Sequence, residues 1–194
     1  MRIVGGMWRG RPLEAPDGRE VTRPSTDRTR EQMASMVLSA FGLDLSDVGV
    51  LDAFAGSGAI GLELLSRGAR HCTFIDADRK AAGRVKRNAS SLGAKPSTYH
   101  VVTGDALKLA SRAALPGGPF SLVVLDPPYA MPASDVSGLV AALIDGALLT
   151  PDAVVLYERA TAGEQLSVSG AKLVKSKAHG TTAVDLLRLG ADDE

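Results

Sequence analysis

The chain has 194 residues, with 22 Lys and Arg against 22 Asp and Glu, and it contains one cysteine. The zero net charge excludes a global field that attracts nucleic acid, so any such binding must use local patches. A single cysteine excludes a disulfide framework and a multi-cysteine zinc site. Without a long apolar span or a signal-like N-terminus, the sequence predicts a cytoplasmic domain that needs no metal and touches no membrane.

Residues 1–25 differ from the rest of the chain because they are rich in arginine and contain Trp8, the only tryptophan. Arg2–Val4 and Arg11–Leu13 are expected to pair as a hairpin, with a second short strand near Arg19–Thr22. Basic residues around an exposed aromatic ring suit RNA, through phosphate contacts and base stacking. The candidate RNA contacts are Arg9, Arg11 and Arg23. The alternative is a solvated hairpin whose Trp8 packs on the main body.

The first helix is predicted to begin at Thr26 or Asp27 and to end at Gly42. Arg28 and Arg30 lie in its first turn, where the helix dipole disfavours cations. Two arginines in that position indicate a nearby anion, either a ligand carboxylate or an RNA phosphate. Pairing with neighbouring acids of the same helix explains them equally well, and the spacing does not separate the two hypotheses.

A strand, a glycine loop and a helix follow one another in Leu51–Gly61. Gly56, Gly58 and Gly61 let the backbone turn tightly and approach a nucleotide-like ligand. The spacing also matches the dinucleotide fingerprint of nicotinamide and flavin enzymes, with Asp76 about 20 residues on as the acid that binds a ribose. Asp52 favours S-adenosylmethionine (SAM) instead, because its carboxylate can face a ligand amino group and would repel a pyrophosphate.

Two further strands are predicted at Cys72–Ile75 and Tyr99–Thr103, and each is followed by an acid. Asp76 can accept both hydroxyls of a ribose, since Asp78 is better placed to cap the next helix. Asp105 can hydrogen-bond an adenine amino group or cap the helix that begins at Ala106, and we expect it to share both roles. That helix is predicted to continue beyond Lys108 towards a Gly-Pro loop before Phe120.

The most specific pattern is a strongly apolar strand, Phe120–Leu125, that runs into Asp126-Pro127-Pro128-Tyr129. Successive prolines restrict the backbone and remove two donors, which leaves carbonyl groups pointing outward. Asp126 and the Pro127 carbonyl can together accept the hydrogens of a planar exocyclic amine. Tyr129 offers a face on which the base that carries the amine can stack. These residues predict transfer of a group to a nucleobase amine.

The rest of the chain completes an α/β sheet. A helix is predicted at Ser134–Leu148 and a fifth strand at Ala153–Tyr157, with Glu158 at the same sheet edge as the earlier acids. Strands at Ala171–Lys177 and Thr182–Leu189 lie too close for an intervening helix and should form a hairpin. We therefore expect a mostly parallel sheet closed by an antiparallel strand. Residues 191–194 are expected to be a frayed tail.

The motifs together resemble those of the RsmD family, bacterial SAM-dependent methyltransferases of a guanine N2 amine in small-subunit (16S) ribosomal RNA. They are Arg2-Ile-Val-Gly-Gly6, Arg9-Gly-Arg11, Arg23-Pro-Ser-Thr-Asp-Arg28, Asp52-Ala-Phe-Ala-Gly-Ser-Gly58 and Asp126-Pro-Pro-Tyr129. The resemblance covers essentially the whole chain, and the arginine motifs carry it, because many amino methyltransferases share the other two. Where that family usually has a glutamate after the second strand, this chain has Asp76, one methylene shorter.

The resemblance implies a Rossmann-like SAM-dependent methyltransferase fold with a seven-stranded sheet at 26–190 and an RNA-engaging hairpin extension at 1–25. It also implies a monomer that acts on 16S rRNA in the small ribosomal subunit or an assembly intermediate. Asp126, Pro127 and Tyr129 would be catalytic, and Pro128 and Tyr129, with the arginines at positions 9, 11, 23, 28 and 30, would contact substrate. The candidate residues for binding SAM, and its product S-adenosylhomocysteine, are Asp52, Phe54, Gly56, Gly58, Asp76 and Asp105.

Three other functions remain open at this point. A DNA adenine-N6 or cytosine-N4 methyltransferase uses similar motifs, a nicotinamide oxidoreductase shares the glycine spacing, and a non-catalytic RNA-binding module would need only the arginines. Methylation of cytosine C5 is disfavoured, because that reaction needs a cysteine nucleophile and Cys72 falls within an apolar strand.

Overall fold

A computed structural model describes residues 1–16, 27–113 and 115–190. Its helices are α1 (Asp27–Ala40), α2 (Ala59–Ser66), α3 (Arg79–Leu92), α4 (Ala106–Ala110) and α5 (Ala133–Asp145). Its strands are β1 (Gly49–Asp52), β2 (His71–Asp76), β3 (Tyr99–Thr103), β4 (Phe120–Leu125), β5 (Leu149–Ala160), β6 (Ala171–His179) and β7 (Thr182–Leu189). None of the helices in these residues is long and apolar enough to cross a membrane.

The strands form one seven-stranded sheet in the order β3-β2-β1-β4-β5-β7-β6. The five strands from β3 to β5 in that order are parallel, and β7 runs antiparallel to both β5 and β6. The predicted fold class is thus confirmed, including the final hairpin. Because the parallel strands share one direction, all of their carboxyl ends reach the same edge of the sheet, where such folds bind ligands.

The centre of the sheet is buried on both faces, which explains the near-continuous apolar character of β4, whereas the edge strand β6 is largely exposed. One face packs against α1, α2 and α3 through residues such as Met33, Leu62 and Val85. The other face packs against α4 and α5 through residues such as Ala106 and Leu139. The helices on the two faces hold the strand ends at fixed positions, and the loops at that edge can then present functional side chains.

The region between β3 and β4 differs from the sequence-based expectation. α4 ends at Ala110, only two residues beyond Lys108, so the longer helix that the sequence predicts towards the Gly-Pro loop is wrong. The chain then tightens into a turn, in which Ala113 donates to the Ala110 carbonyl and takes a left-handed φ of 50°. The Pro116 carbonyl accepts a 2.7 Å hydrogen bond from Thr73. This contact ties the loop to β2, an interaction between distant residues that helical propensity cannot reveal.

The N-terminal residues form the predicted pairing. Arg2 bridges Pro12 in antiparallel fashion, and Ile3 exchanges backbone hydrogen bonds of 3.0 and 2.9 Å with Arg11 and Gly10. A short 3₁₀-helix, Gly6–Trp8, closes the connection. The second predicted strand at Arg19–Thr22 and the tail at 191–194 lie outside the described residues.

Candidate active site

Four acids from four strand ends line one cavity of about 420 Å³. Asp52 and Asp76 end β1 and β2, Asp126 directly follows β4, and Asp105 lies two residues after β3. The same cavity is lined by the glycine loop and by Pro127, Pro128 and Tyr129. The structure therefore brings the two strongest sequence motifs to one binding space. Its volume lies in the range usual for small-molecule and cofactor sites.

The glycine loop has the backbone geometry that only glycine adopts without strain. Gly56 and Gly58 have φ values of 56° and 76°, and Gly58 is the N-cap of α2. A Cβ at Gly56 would meet no protein atom within 4 Å. That space belongs to the cavity, so the loop brings its backbone close to whatever the cavity holds.

Asp76 holds the glycine loop in place. One of its carboxylate oxygens accepts a 2.7 Å hydrogen bond from the Gly56 N–H, and the other accepts a 2.9 Å bond from the Asp78 N–H. Each carboxylate oxygen has a second acceptor position. Asp76 is half-buried on the cavity wall. Its role in holding the loop is shown, and its contact with a ribose stays a prediction.

Asp52 lies at the floor of the cavity and is 3% exposed. Its carboxylate accepts a 3.2 Å hydrogen bond from the Gly61 N–H in the first turn of α2. Burial raises the pKa of Asp52 to about 7, the backbone hydrogen bond from Gly61 opposes this, and the nearby charge of Asp76 adds to the increase. The structure thus gives Asp52 a loop-holding role, and its contact with a ligand amino group stays a prediction.

Asp105 and Phe54 line the same cavity. Asp105 is exposed and caps α4 by accepting a 3.1 Å hydrogen bond from the Lys108 N–H. The capping half of its predicted double role is confirmed. Phe54 is half-buried, so part of its ring is available to a ligand.

The Asp126–Tyr129 segment forms the far wall of the cavity. Asp126 is half-buried, Pro127 is buried, and Pro128 and Tyr129 are exposed. The Pro128 carbonyl accepts a 2.8 Å hydrogen bond from Met131, which closes the turn after the motif. Tyr129 is 56% exposed, and its hydroxyl lies 3.4 Å from that of Thr182. A large aromatic face therefore stands open to solvent at the cavity mouth, as stacking with an incoming base requires.

A family model described as Conserved hypothetical protein 95, the RsmD family, matches residues 1–188. The chain belongs to this family. The resemblance that the sequence motifs indicated is confirmed, and the match includes both the N-terminal hairpin and the site.

Relatives of known name are similar over much of the chain. "Ribosomal RNA small subunit methyltransferase D" of Escherichia coli strain K12 is 39% identical over 129 residues, which are 66% of this chain and 60% of that protein. The matched region thus spans less than two thirds of that relative. The protein of the same name from Haemophilus influenzae is 28% identical over 186 residues, 96% of this chain and 92% of that protein. The solved structure of Escherichia coli yhhF superposes with a TM-score of 0.81 at 30% identity and covers 99% of both chains.

In this member of the RsmD family, the N-terminal hairpin is docked on the end of α2 by a buried carboxylate. Glu63 is fully buried, and its two oxygens accept hydrogen bonds of 2.7 Å from the N–H groups of Val4 and Gly5. Ser66 accepts from the Trp8 N–H at 2.9 Å and donates to the Gly5 carbonyl at 2.7 Å. Trp8 packs against the core, as the alternative to an RNA-stacking tryptophan predicted.

The predicted RNA-contacting arginines divide into two groups. Arg9, Arg11 and Arg28 are exposed, and Arg11 also donates a 2.6 Å hydrogen bond to the Ser91 carbonyl. Arg30 is 1% exposed, donates to the Arg2 carbonyl and pairs with Asp27. Its prediction as a contact to an RNA phosphate is corrected, because the helix turns this guanidinium inward beneath the hairpin. Arg23 lies outside the described residues.

Some residues of the site were missed by sequence reasoning. Arg84 of α3 falls in a basic run typical of a solvated helix face, yet it is 9% exposed and lines the cavity. Met1 and Pro16 line it as well, because the hairpin folds back beside the glycine loop. Among the described residues, no group of three His, Cys, Asp or Glu side chains is arranged to hold a metal ion.

Proposed function

We propose that this protein transfers a methyl group from SAM to the exocyclic N2 amine of a guanine in small-subunit (16S) ribosomal RNA. The observation that carries the proposal is the shared cavity, in which the glycine loop and its acids face the Asp126–Tyr129 motif. Membership of the RsmD family, with relatives named ribosomal RNA small subunit methyltransferase D, supports the choice of substrate.

The residues present fit SAM. The open space beside Gly56 accommodates a ligand against the loop backbone, and Asp76 offers acceptors for ribose hydroxyls. Asp105 and Phe54 are placed for the adenine, while Asp52 at the cavity floor suits the cationic amino group. SAM supplies a sulfonium-bound methyl group that is already electrophilic.

The protein's own contribution is to position a weak nucleophile. Asp126 and the Pro127 carbonyl accept the amine hydrogens, which orients the nitrogen lone pair towards the methyl carbon. Bound SAM would supply the methyl carbon, and its sulfur would keep the electron pair of the broken C–S bond as the new N–C bond forms. Asp126 offsets the positive charge that develops on nitrogen and takes the released proton. Tyr129 stacks on a base that has left its helix, because a paired amine is unreachable.

RNA reaches this cavity along a basic surface. Arg9 and Arg11 project from the hairpin and Arg28 from the first turn of α1, and all three are exposed. Because the net charge is zero, these local arginines supply the phosphate contacts. We propose the small ribosomal subunit, or a late assembly intermediate, as the form in which 16S rRNA is presented.

The decisive experiment is transfer of labelled methyl groups from SAM to small ribosomal subunits that lack the modification, followed by mapping of the modified base. We expect N2-methylguanine at one position, and no transfer to double- or single-stranded DNA. The variant Asp126→Ala should bind SAM normally in calorimetry and transfer no methyl group. Near-normal turnover by Asp126→Ala would show that this residue is not catalytic. If the wild type bound RNA but transferred no methyl group, the protein would be a binding module and not an enzyme.

A further inference from the structure

A second cavity of about 320 Å³ adjoins the site. Five residues line both cavities: Pro127, Pro128, Tyr129, Met131 and Glu158. The second cavity extends from them over Tyr157 and Arg159 at the end of β5. A planar group in this space therefore lies against Pro127, Pro128 and Tyr129 without entering the space beside the glycine loop, and Asp126 lies across the boundary in the first cavity.

Glu158 lies beside Asp126 at the sheet edge. Leu125 of β4 and Tyr157 of β5 are partners in the parallel ladder, and each acid is the next residue after that pair. Neighbouring strands lie about 4.8 Å apart, so the two acids leave the sheet at adjacent positions. Glu158 is only 4% exposed, which means that water is largely excluded from around its carboxylate.

Two adjacent carboxylates form a pattern that distinguishes among nucleobases. An ionised carboxylate only accepts hydrogen bonds. On its Watson–Crick edge guanine presents two neighbouring donors, the N1–H and the N2 amine. Adenine and cytosine present an amine beside a ring nitrogen that is itself an acceptor. The pair of acids therefore matches guanine and opposes the other two amino bases, because a ring nitrogen and a carboxylate oxygen that face each other are both acceptors and form no hydrogen bond.

We propose that the target guanine lies across the junction of the two cavities, where Glu158, which lines both, selects it by accepting the N1–H, and Asp126, which lines the first, accepts the amine. This proposal rests on the methyltransferase function proposed above and adds the residue that specifies the base. Glu158 acts in recognition, so its removal should change which base is accepted more than whether SAM binds.

The test replaces the mapped guanine with 2-aminopurine in reconstituted small subunits. This analogue keeps the 2-amine, but its N1 accepts instead of donating. We expect the wild type to methylate guanine at least about tenfold faster than 2-aminopurine. In Glu158→Gln the carboxamide can donate to N1 of the analogue, so the preference should fall below about threefold or reverse. 2-Aminopurine also lacks the O6 of guanine. This affects the wild type and Glu158→Gln alike, so it cancels when their guanine to 2-aminopurine rate ratios are compared.

Asp152→Asn is the matched control, because Asp152 is an exposed acid at the opposite end of the same strand. It should keep the wild-type preference. If the wild type methylated guanine and 2-aminopurine at equal rates, the proposal would be overturned. It would also be overturned if Glu158→Gln still bound SAM and kept the wild-type preference for guanine. If Glu158→Gln fails to bind SAM, the proposal is judged on the ratio of the wild-type rates on guanine and 2-aminopurine alone. Failure of the wild type to methylate unsubstituted subunits would instead refute the proposed function itself.

Discussion

The carboxylate of Glu63 accepts the backbone N–H of Gly5 at 2.7 Å, across 58 residues of sequence. Its other oxygen accepts from Val4, and Arg67 donates at 2.8 Å to the same oxygen as Gly5. Arg67 in turn reaches Glu31 of α1 at 2.6 Å. A single buried acid thus joins the hairpin to the helix that begins at the glycine loop.

Removal of this carboxylate should release the hairpin. In Glu63→Ala two backbone N–H groups lose their acceptor and the largely buried Arg67 guanidinium loses one of two, so we expect the free energy of unfolding to fall by about 3 kcal/mol. Urea denaturation measures the loss, and limited proteolysis should show new cleavage within residues 1–16. Glu31→Ala is the control, because this carboxylate is 46% exposed and its loss should cost less than about 1 kcal/mol. An equal loss in the two variants would contradict the anchoring role.

Replacement of Gly56 and of Gly61 by alanine should have different effects on SAM affinity and on stability. Gly56 has open space where a Cβ would lie, so Gly56→Ala should lower SAM affinity in calorimetry while stability falls by only about 1–2 kcal/mol for the left-handed backbone. A Cβ at Gly61 would collide with the Phe74 ring and lie 2.7 Å from Cys72 Sγ. Gly61→Ala should therefore mainly destabilise the fold, which thermal unfolding measures. The reverse order of effects would show that Gly56 does not face the ligand.

SAM affinity should increase with pH between 6 and 8. Since burial raises the pKa of Asp52 to about 7, its carboxyl is mostly protonated at pH 6. A cationic ligand amino group beside it favours the ionised form, so binding releases a proton and is weakened roughly tenfold at pH 6 relative to pH 8. Calorimetry in buffers of different ionisation enthalpy detects the proton. The SAM affinity of Asp52→Asn should be independent of pH. If the SAM affinity of the wild type also did not change between pH 6 and 8, Asp52 would not contact the amino group.

The raised pKa of Asp52 also makes the stability of the fold depend on pH. The direction is opposite to that of an acid whose pKa is lowered by an ion pair. In the unfolded chain the Asp52 carboxyl ionises near pH 4, whereas in the folded protein it stays protonated up to about pH 7. The unfolded state therefore binds fewer protons between these values, and the contribution of Asp52 to stability declines as pH rises through this window.

The exposed hairpin arginines should set the salt dependence of RNA binding. Arg9→Gln should weaken binding to small-subunit RNA and lower the slope of log affinity against log salt by about 1, as loss of one phosphate contact predicts. Filter binding over a range of salt concentrations measures the slope. Arg112→Gln removes an exposed arginine near α4, away from the hairpin, and should leave the slope unchanged. Identical slopes in all three proteins would mean that Arg9 does not contact the RNA.

The site was predictable from sequence where local pattern decides the structure. β3 and β4 match their predicted bounds, because β-branched and apolar runs ended by Gly-Asp or Asp-Pro leave little choice. Parallel strands then bring Asp52, Asp76, Asp105 and Asp126 to one edge without any knowledge of contacts. Burial of Arg30 could not be predicted, since it depends on a hairpin docked over α1 by residues far along the chain. The shortness of α4 likewise depends on the bond between Thr73 and Pro116.

The position of α2 has a mechanical consequence. One end of this eight-residue helix is the glycine loop, and the other holds Gly5 and Trp8 through Ser66. At 1.5 Å per residue the helix is about 12 Å long. It separates the Gly5–Trp8 turn of the hairpin from the glycine loop by a fixed length, while Met1 and Pro16 at the ends of the hairpin line the cavity. If RNA binds this turn as proposed above, the length of α2 sets the distance from that contact to the cavity, and with it which nucleotide along the strand reaches the cavity.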